Sequence, residues 1–562
     1  MKRLFLLFLL FFALFTIFAQ SPAKYWIQFK DKQGTPYSID KPLEFLSPKA
    51  IERREKYNIK ITEQDLPVSP MYIQKVLALD SNIILFTKSK WLNGITIYSE
   101  NENIIDKIRA LDFVTYCERT IPMKEPEEQP NSYFHFQNGN FPTVETGIPN
   151  DIDYGLSYGQ IKINNVHWLH RMGFKGEGIH MMILDGGFHN LDTIRHFSLL
   201  RSQNRLREAR HVVQPGVNPF LTGSHGTMVL SCIASYIPGE IVGSAPGVIV
   251  WLAQTEDGRS ENKVEEDNWV AGVEWADSLG IYIINSSLGY TKFDDSTQVR
   301  NYSHMNGKTS RASIAASYLA SKGIVLCNSV GNEGDDKWKF MGAPAEATDI
   351  LAVGGVNSKG ERAPFSSYGP SADGRIKPDA VAVGWDTYVG NTRGKTIKGN
   401  GTSFSSPLMS GMVACLWQAF PNKNAYEIMH AIRMSGDKAT APDNSLGYGI
   451  TDMLKAYNYL LQKSDPNFEV QISNYVIQKN KIEISIIVKN PTEITIKTSL
   501  RNSLKKQIVK KYTLKEGDQT IIIKTPKISK KAKYDLVDLF IENGGAAQPL
   551  KYVLGYENPK KK

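Results

Sequence analysis

The chain has 562 residues, 41% of them hydrophobic and 22% charged. That is ordinary globular composition with length for about three domains, which excludes a disordered, collagen-like or coiled-coil protein. Four cysteines exclude a disulfide-dense scaffold, and no Cys-x-x-Cys pair suggests a zinc site. The formal net charge of +9 invites a nucleic-acid reading until it is located. Residues 466–562 hold 19 Lys and Arg against 9 Asp and Glu, so the remainder is nearly neutral. The lysines of that tail alternate with strand-forming residues and make no dense block. This is the pattern of a solvated sheet face, and no nucleic-acid partner is expected.

In chain order, Met1-Lys2-Arg3 precedes an apolar run of 16 residues, Leu4–Ala19. The run is shorter than the ~20 residues a bilayer span needs. It reads as a signal peptide over 1–19, cleaved near Ala19-Gln20, so an exported protein is expected: extracellular, at the cell surface or periplasmic. Residues 20–120 read as a small α+β unit. It has a strand at Tyr25–Phe29, a helix opened by Ser47 as N-cap with Pro48 behind it, a second helix, and a hairpin over Ile83–Ser99 turning near Asn93-Gly94, in the order β-α-α-β-β-α-β. A helix over Ile104–Leu111 and a strand over Phe113–Tyr116 close it. Residues 121–151 are rich in Pro, Glu, Asn and Gly, and the expectation is an exposed, cleavable linker.

From 152 to 463 apolar strands alternate with helices. The strands are Ile179–Leu184, Ile249–Ala253, Ile281–Asn285, Ile324–Cys327 and Ile350–Val353; the helices include Asp267–Leu279 and Ser310–Lys322. Uninterrupted apolar strands separated by helices predict an α/β fold, a parallel sheet with helices on both faces and its chemistry at the carboxyl ends of the strands. Beyond Pro466 short β runs between turn residues predict a β-sandwich-like domain over 466–562.

Four spots in the sheet domain suggest chemistry. Asp185-Gly186-Gly187 ends a buried strand. His225, between Gly223-Ser224 and Gly226-Thr227, opens a helix of small residues. Asn332 lies in a tight turn, Val330-Gly331-Asn332-Glu333-Gly334. Ser403 follows Gly399-Asn400-Gly401-Thr402 at the start of another helix, with Pro407 expected in its first turn. Taken singly, a turn Asp, a packed His, a turn Asn and a capping Ser are all common structural residues.

Taken as a set, the order Asp…His…Asn…Ser in one α/β domain resembles the subtilisin-like serine peptidases, the subtilases of peptidase family S8. His225-Gly226-Thr227-Met228-Val229 and Gly401-Thr402-Ser403-Phe404-Ser405-Ser406-Pro407 are similar to that family's histidine and nucleophile motifs. Asp185-Gly186-Gly187 departs slightly from its usual Asp-Ser/Thr-Gly. The resemblance implies a subtilisin-like sheet domain that hydrolyses peptide bonds through an acyl-enzyme. Ser403 would be the nucleophile, His225 its base and Asp185 the residue fixing the imidazole, with Asn332 and the Ser403 N–H binding the oxyanion. Ser287, Leu288 and Gly289 would pair with substrate backbone, and Gly331 with Met341–Ala345 would complete a primary pocket without charge. The unit over 20–120 is similar to subtilase propeptides, an intramolecular inhibitor removed by self-cleavage within 121–151.

The partners implied are protein or peptide substrates, the chain's own propeptide, and a cell surface reached through the C-terminal domain, as in exported Bacteroidetes-type members. No cofactor is required for the chemistry, and no metal ligand set is assigned. Structural Ca²⁺ is a further implication, with Asp294-Asp295, Asp335-Asp336 and Glu265-Glu266-Asp267 as sources. Cys232, Cys327 and Cys415 read as buried free thiols. A second reading is a subtilase-like surface or binding protein whose peptidase domain serves only maturation or is inactive.

Overall fold

A computed structural model describes residues 23–122, 146–462 and, apart from short turns, 470–558. The signal peptide expected over 1–19 and most of the linker expected over 121–151 lie outside the described residues.

The N-terminal unit follows the predicted element order. Strands β1 (Ala23–Phe29), β2 (Ile84–Ser89), β3 (Gly94–Ser99) and β4 (Val114–Pro122) form an antiparallel sheet in the order β2-β3-β1-β4. Helices α1 (Pro48–Lys56), α2 (Pro70–Leu77) and α3 (Glu102–Arg109) complete it. Ser47 caps α1, its side chain accepting from the Ala50 N–H, and Pro48 occupies the first turn, where its missing N–H is not needed. Asn93, at φ 51°, supplies the left-handed residue between β2 and β3.

The central domain is built on seven parallel strands: β5 (His180–Asp185), β6 (Leu206–His211), β7 (Ile249–Gln254), β8 (Ile283–Ser286), β9 (Val325–Ser329), β10 (Leu351–Val356) and β11 (Ala380–Val383). Their spatial order is β11-β10-β9-β8-β5-β7-β6. The apolar runs are uninterrupted because both faces are covered. Met181 and Ile183 of β5, with Val250 and Leu252 of β7, enter one core; Met182, Leu184, Trp251 and Ala253 enter the other. The chain leaves β5 toward β6 and β7 on one side and returns at β8 on the other. Asp185 and Ser287 therefore stand at the carboxyl ends of β5 and β8, where the strand order reverses.

Five more helices matter for the site: α4 (Val166–Arg171), α5 (His225–Ala234), α6 (Val264–Leu279), α7 (Arg311–Tyr318) and α8 (Thr402–Ala419). Helix α8 is buried from Thr402 to Trp417, and small residues let it run through the core. Asn285 holds it there, accepting from the Ser406 and Ser410 hydroxyls at 3.0 Å each. Two further helices, α9 (Ala425–Met434) and α10 (Met453–Gln462), close the domain.

Two antiparallel sheets with a shared apolar core make the C-terminal region. One pairs β12 (Val470–Gln478), β13 (Lys481–Val488) and β16 (Gly517–Lys524); the other joins β14 (Thr492–Leu500), β15 (Ser503–Leu514), β17 (Tyr534–Asn543) and β18 (Leu550–Glu557). Strand β18 is absent from the sequence reading; it docks the region on the sheet domain. Val553 and Leu536 pack with Trp168 and Leu454, and Asn458 exchanges two 2.9 Å hydrogen bonds with the Val553 backbone.

Candidate active site

Asp185 is fully buried at the end of β5. Its Oδ1 accepts from the Gly186 N–H at 2.8 Å and is 2.7 Å from His225 Nδ1. The two loops that carry this pair pass backbone against backbone. A Cβ on Gly187 would lie 2.3 Å from the Thr222 carbonyl, and one on Gly226 would lie 2.5 Å from the Phe188 ring. Those glycines let the first turn of α5 close on the end of β5. Burial alone would lower the His225 pKa, but the charge of Asp185 and its hydrogen bond prevail and raise it. The ring is 39% exposed, open on the side away from Asp185, and lies over Phe404 at 6.3 Å between centroids.

Ser403 is the second residue of α8, so its N–H is one of the helix's unpaired donors. The helix begins one residue earlier than the sequence suggests, and Pro407 stands in its second turn rather than its first. A proline there cannot donate to the carbonyl four residues back, which is that of Ser403. The Ser287 hydroxyl supplies the missing bond at 2.9 Å, and Ser403 Oγ in turn donates to the Ser287 carbonyl at 3.5 Å. The nucleophile candidate and the substrate-wall candidate are thus tied to each other.

Asn332 follows β9 in the turn opened by Gly331, whose φ is 104°. Its Oδ1 accepts from the Thr402 N–H at 2.8 Å and lies 3.1 Å from the Thr402 hydroxyl. Those contacts fix which way the amide faces, leaving Nδ2 as a donor beside the start of α8. Thr402 was not singled out from sequence, although it lies in the Gly-Thr-Ser motif; a residue acting through a neighbour carries no signal of its own. Leu288 and Gly289 continue from Ser287, and the Tyr290 N–H donates to the Ala343 carbonyl at 2.7 Å. That bond holds the 287–289 segment beside Met341–Ala345.

Of the acidic runs considered as calcium sources, Glu265-Glu266-Asp267 is engaged by protein groups. Glu265 accepts from the Asp257 and Asn262 N–H groups; Glu266 pairs with Arg300 and caps the start of α7; Asp267 pairs with Arg311. Among the described residues no group of three or more His, Cys, Asp or Glu is arranged to hold a metal ion. All four cysteines are free, and Cys232, Cys327 and Cys415 are buried.

The N-terminal unit lies along α6, whose Asp267, Glu274 and Asp277 recur at helical spacing on one face. Asp277 is fully buried and takes three cations from the unit: Arg53 at 2.6 Å, Arg54 at 2.9 Å and Lys90 at 2.9 Å. Glu274 accepts from the Ser89 hydroxyl and from the Lys90 and Trp91 N–H groups, and Asp267 from the Thr96 hydroxyl. This ionic seam is missed from sequence, because Arg53 and Arg54 look like ordinary solvated residues of a short helix.

Comparisons with known proteins agree with this architecture. The Subtilase family matches residues 176–449, and the peptidase S8 propeptide domain of Bacteroidota matches 24–133. Subtilisin E of Bacillus subtilis (strain 168) is 28% identical over 302 residues, 53% of this chain and 68% of that protein. Subtilisin of Bacillus pumilus is 28% identical over 302 residues, 95% of its length. The thermostable alkaline protease of Halalkalibacterium halodurans is 24% identical over 303 residues. In structure, the epidermin leader peptide processing serine protease of Staphylococcus aureus matches with a TM-score of 0.52 at 15% identity, covering 78% of this chain and 98% of that one. That likeness is one of fold. Residues 176–449 are therefore a subtilase domain, a serine endopeptidase domain of peptidase family S8, behind a Bacteroidota-type S8 propeptide domain over 24–133.

Proposed function

We propose that the chain is made as an exported precursor and, once its propeptide is cut away within 121–151, hydrolyses protein substrates through Ser403, His225 and Asp185. The observation that carries this is the 2.7 Å contact between a fully buried Asp185 and a His225 that is open on its other side. In the proposed reaction His225 Nε2 takes the Ser403 proton as Oγ attacks the scissile carbonyl. The resulting imidazolium is stabilised by Asp185, and the proton then passes to the leaving amine. Asn332 Nδ2 and the Ser403 N–H would share the oxyanion, at the positive end of α8. Water then attacks the acyl-enzyme by the same route, and no cofactor enters any step.

Export rests on the apolar run over 4–19, and surface attachment through the C-terminal domain is a location role proposed beside catalysis. Structural Ca²⁺, which the resemblance implies, would draw on Asp294-Asp295 or Asp335-Asp336 with backbone carbonyls, since Glu265-Glu266-Asp267 is bonded to protein groups. The test is labelling by a fluorophosphonate probe of residues 20–562, wild type and Ser403→Ala, with the N-terminus of each product sequenced. Labelled, shortened wild type beside unlabelled, full-length variant is expected. Labelling of the variant, or an active enzyme still beginning near Gln20, would overturn the reading.

A further inference from the structure

His225 is held at one edge, where Asp185 Oδ1 lies 2.7 Å from Nδ1, and it opens on a cleft of ≈ 550 Å³. A ring tied at one atom can still rock about that bond. Phe404, the residue after the proposed nucleophile, stands against that motion. Its ring stacks on the imidazole with 6.3 Å between centroids and 29° between planes, within the range of favourable aromatic pairs. Phe404 is only 5% exposed and belongs to one of the two apolar cores of the sheet domain.

The molecule makes room for this ring. A Cβ on Gly399, at the end of the strand Thr396–Gly399, would lie 2.6 Å from Phe404 Cε2 and 3.1 Å from Cζ. The Phe404 N–H donates to the Gly401 carbonyl at 3.0 Å, so the ring is carried by the first turn of α8 together with Ser403. Base and nucleophile are thus referenced to one turn of helix. A shift of that turn moves the attacking oxygen and the surface under the imidazole together.

An aromatic ring also does what an aliphatic side chain of similar size would not. Its face is negative, and it attracts a cation within about 6 Å of its centre. The imidazolium gains from that face more than the neutral imidazole does. The charge that acts on His225 is that of Asp185, at the end of β5. Glu256, Asp257, Arg259, Glu261, Glu265 and Asp294 line the cleft beyond. The first turns of α5 and α8, Gly226-Thr227-Met228 and Thr402-Ser403-Phe404-Ser405, carry no other titratable side chain.

We propose that Phe404 is a positioning residue of the reaction: its ring face holds the plane of His225 with Nε2 toward Ser403 and stabilises the imidazolium formed as Oγ attacks. The inference rests on the peptidase reading above and deepens it, from which groups react to what holds the base.

Fluorinated phenylalanines separate this role from packing, because fluorine drains the ring face and nearly keeps its shape. Mature enzyme carrying mono-, tri- or pentafluorophenylalanine at position 404, and Phe404→Leu, would each be assayed for kcat, KM and the pH profile of kcat/KM on one peptide, with thermal melting alongside. Across the fluorinated series the acid limb is expected to move stepwise to lower pH, by about 0.4–0.7 unit in all, and kcat to fall about 2–5-fold with KM unchanged. Phe404→Leu should show at least the full shift. A limb that stays in place through the series would overturn the proposal, and loss of kcat in Phe404→Leu alone would assign the residue to packing. No cleavage by the unfluorinated enzyme would instead remove the peptidase reading, and this inference with it.

Discussion

Asp277→Asn should separate the propeptide from the enzyme without harming the enzyme itself. In the precursor this carboxylate is fully buried and meets Arg53, Arg54 and Lys90, each within 2.9 Å. Asparagine keeps the shape but removes the anion that the three buried cations share; Arg54 retains Asp65, at 3.0 Å, and Arg53 retains only carbonyls. Removing one partner of a buried pair costs about 3–5 kcal/mol, because the other charge stays buried. That corresponds to about 10²–10⁴-fold in affinity. The assay is inhibition of mature enzyme by added propeptide, comparing wild type with Asp277→Asn. The same propeptide meets both enzymes, so its own folding cancels from the ratio. The mature variant should keep its kcat/KM and melting temperature, since the face carrying Asp277 is uncovered once the propeptide has left. A change in Ki below about threefold would refute the account of the seam, as would equal loss of stability in the mature variant.

The same seam should resist mild acid. Asp277 is buried, but the three cations hold its pKa well below the usual carboxylate range. Its contribution is thus complete above that range and lost only as pH falls through the depressed value. Asp267, raised by burial to about 6, works the other way, and residues 23–122 contain no histidine. Propeptide Ki should not weaken between about pH 7.5 and about pH 5. The pH profile of kcat/KM should show an acid limb with its midpoint above the ordinary histidine value, from His225 losing a proton. Asp185→Asn should shift that limb down and cut kcat by about 10⁴-fold. Asn332→Ala should lower kcat by about 10²–10³-fold with little change in KM, measured on one good peptide substrate. Gly555→Ala would place a Cβ 2.4 Å from the Trp168 ring. It should weaken the docking of the C-terminal sheets by about 1–3 kcal/mol, read as a lower first melting transition.

The parts legible in the sequence were those with a local physical signature. Strand β5 is apolar from Met181 to Leu184 because both faces are covered, and Asn93-Gly94 turns a hairpin because both residues accept its backbone. The family motifs brought Asp185, His225, Asn332 and Ser403 into one neighbourhood of the fold. What stayed hidden depends on residues far apart in the chain. Arg53 and Asp277 are separated by 224 positions, and nothing near either announces a burial that only their contact allows. Glu266 and Asp267 suggested cation ligands because their partners, Arg300 and Arg311, arrive from other segments. Strand β18 was missed because Lys551, Gly555 and Glu557 interrupt its apolar pattern; Gly555 is there for the Trp168 ring. Pro407 reads as a first-turn proline from its distance to the glycines, and only the true start of α8 moves it inward.

That displacement has a consequence for how the enzyme works. In an unbroken helix the Ser403 carbonyl would be anchored by its own helix and deaf to the rest of the cleft. With Pro407 in place it is anchored by Ser287, in the segment just after β8 on which substrate would lie. A peptide laid along residues 287–289, as proposed, would therefore pull on the peptide plane next to the proposed nucleophile. On the proposed reading the cleft would act as a latch, in which laying down the correct length of chain sets the aim of the nucleophile and a short or poorly seated peptide leaves it slack.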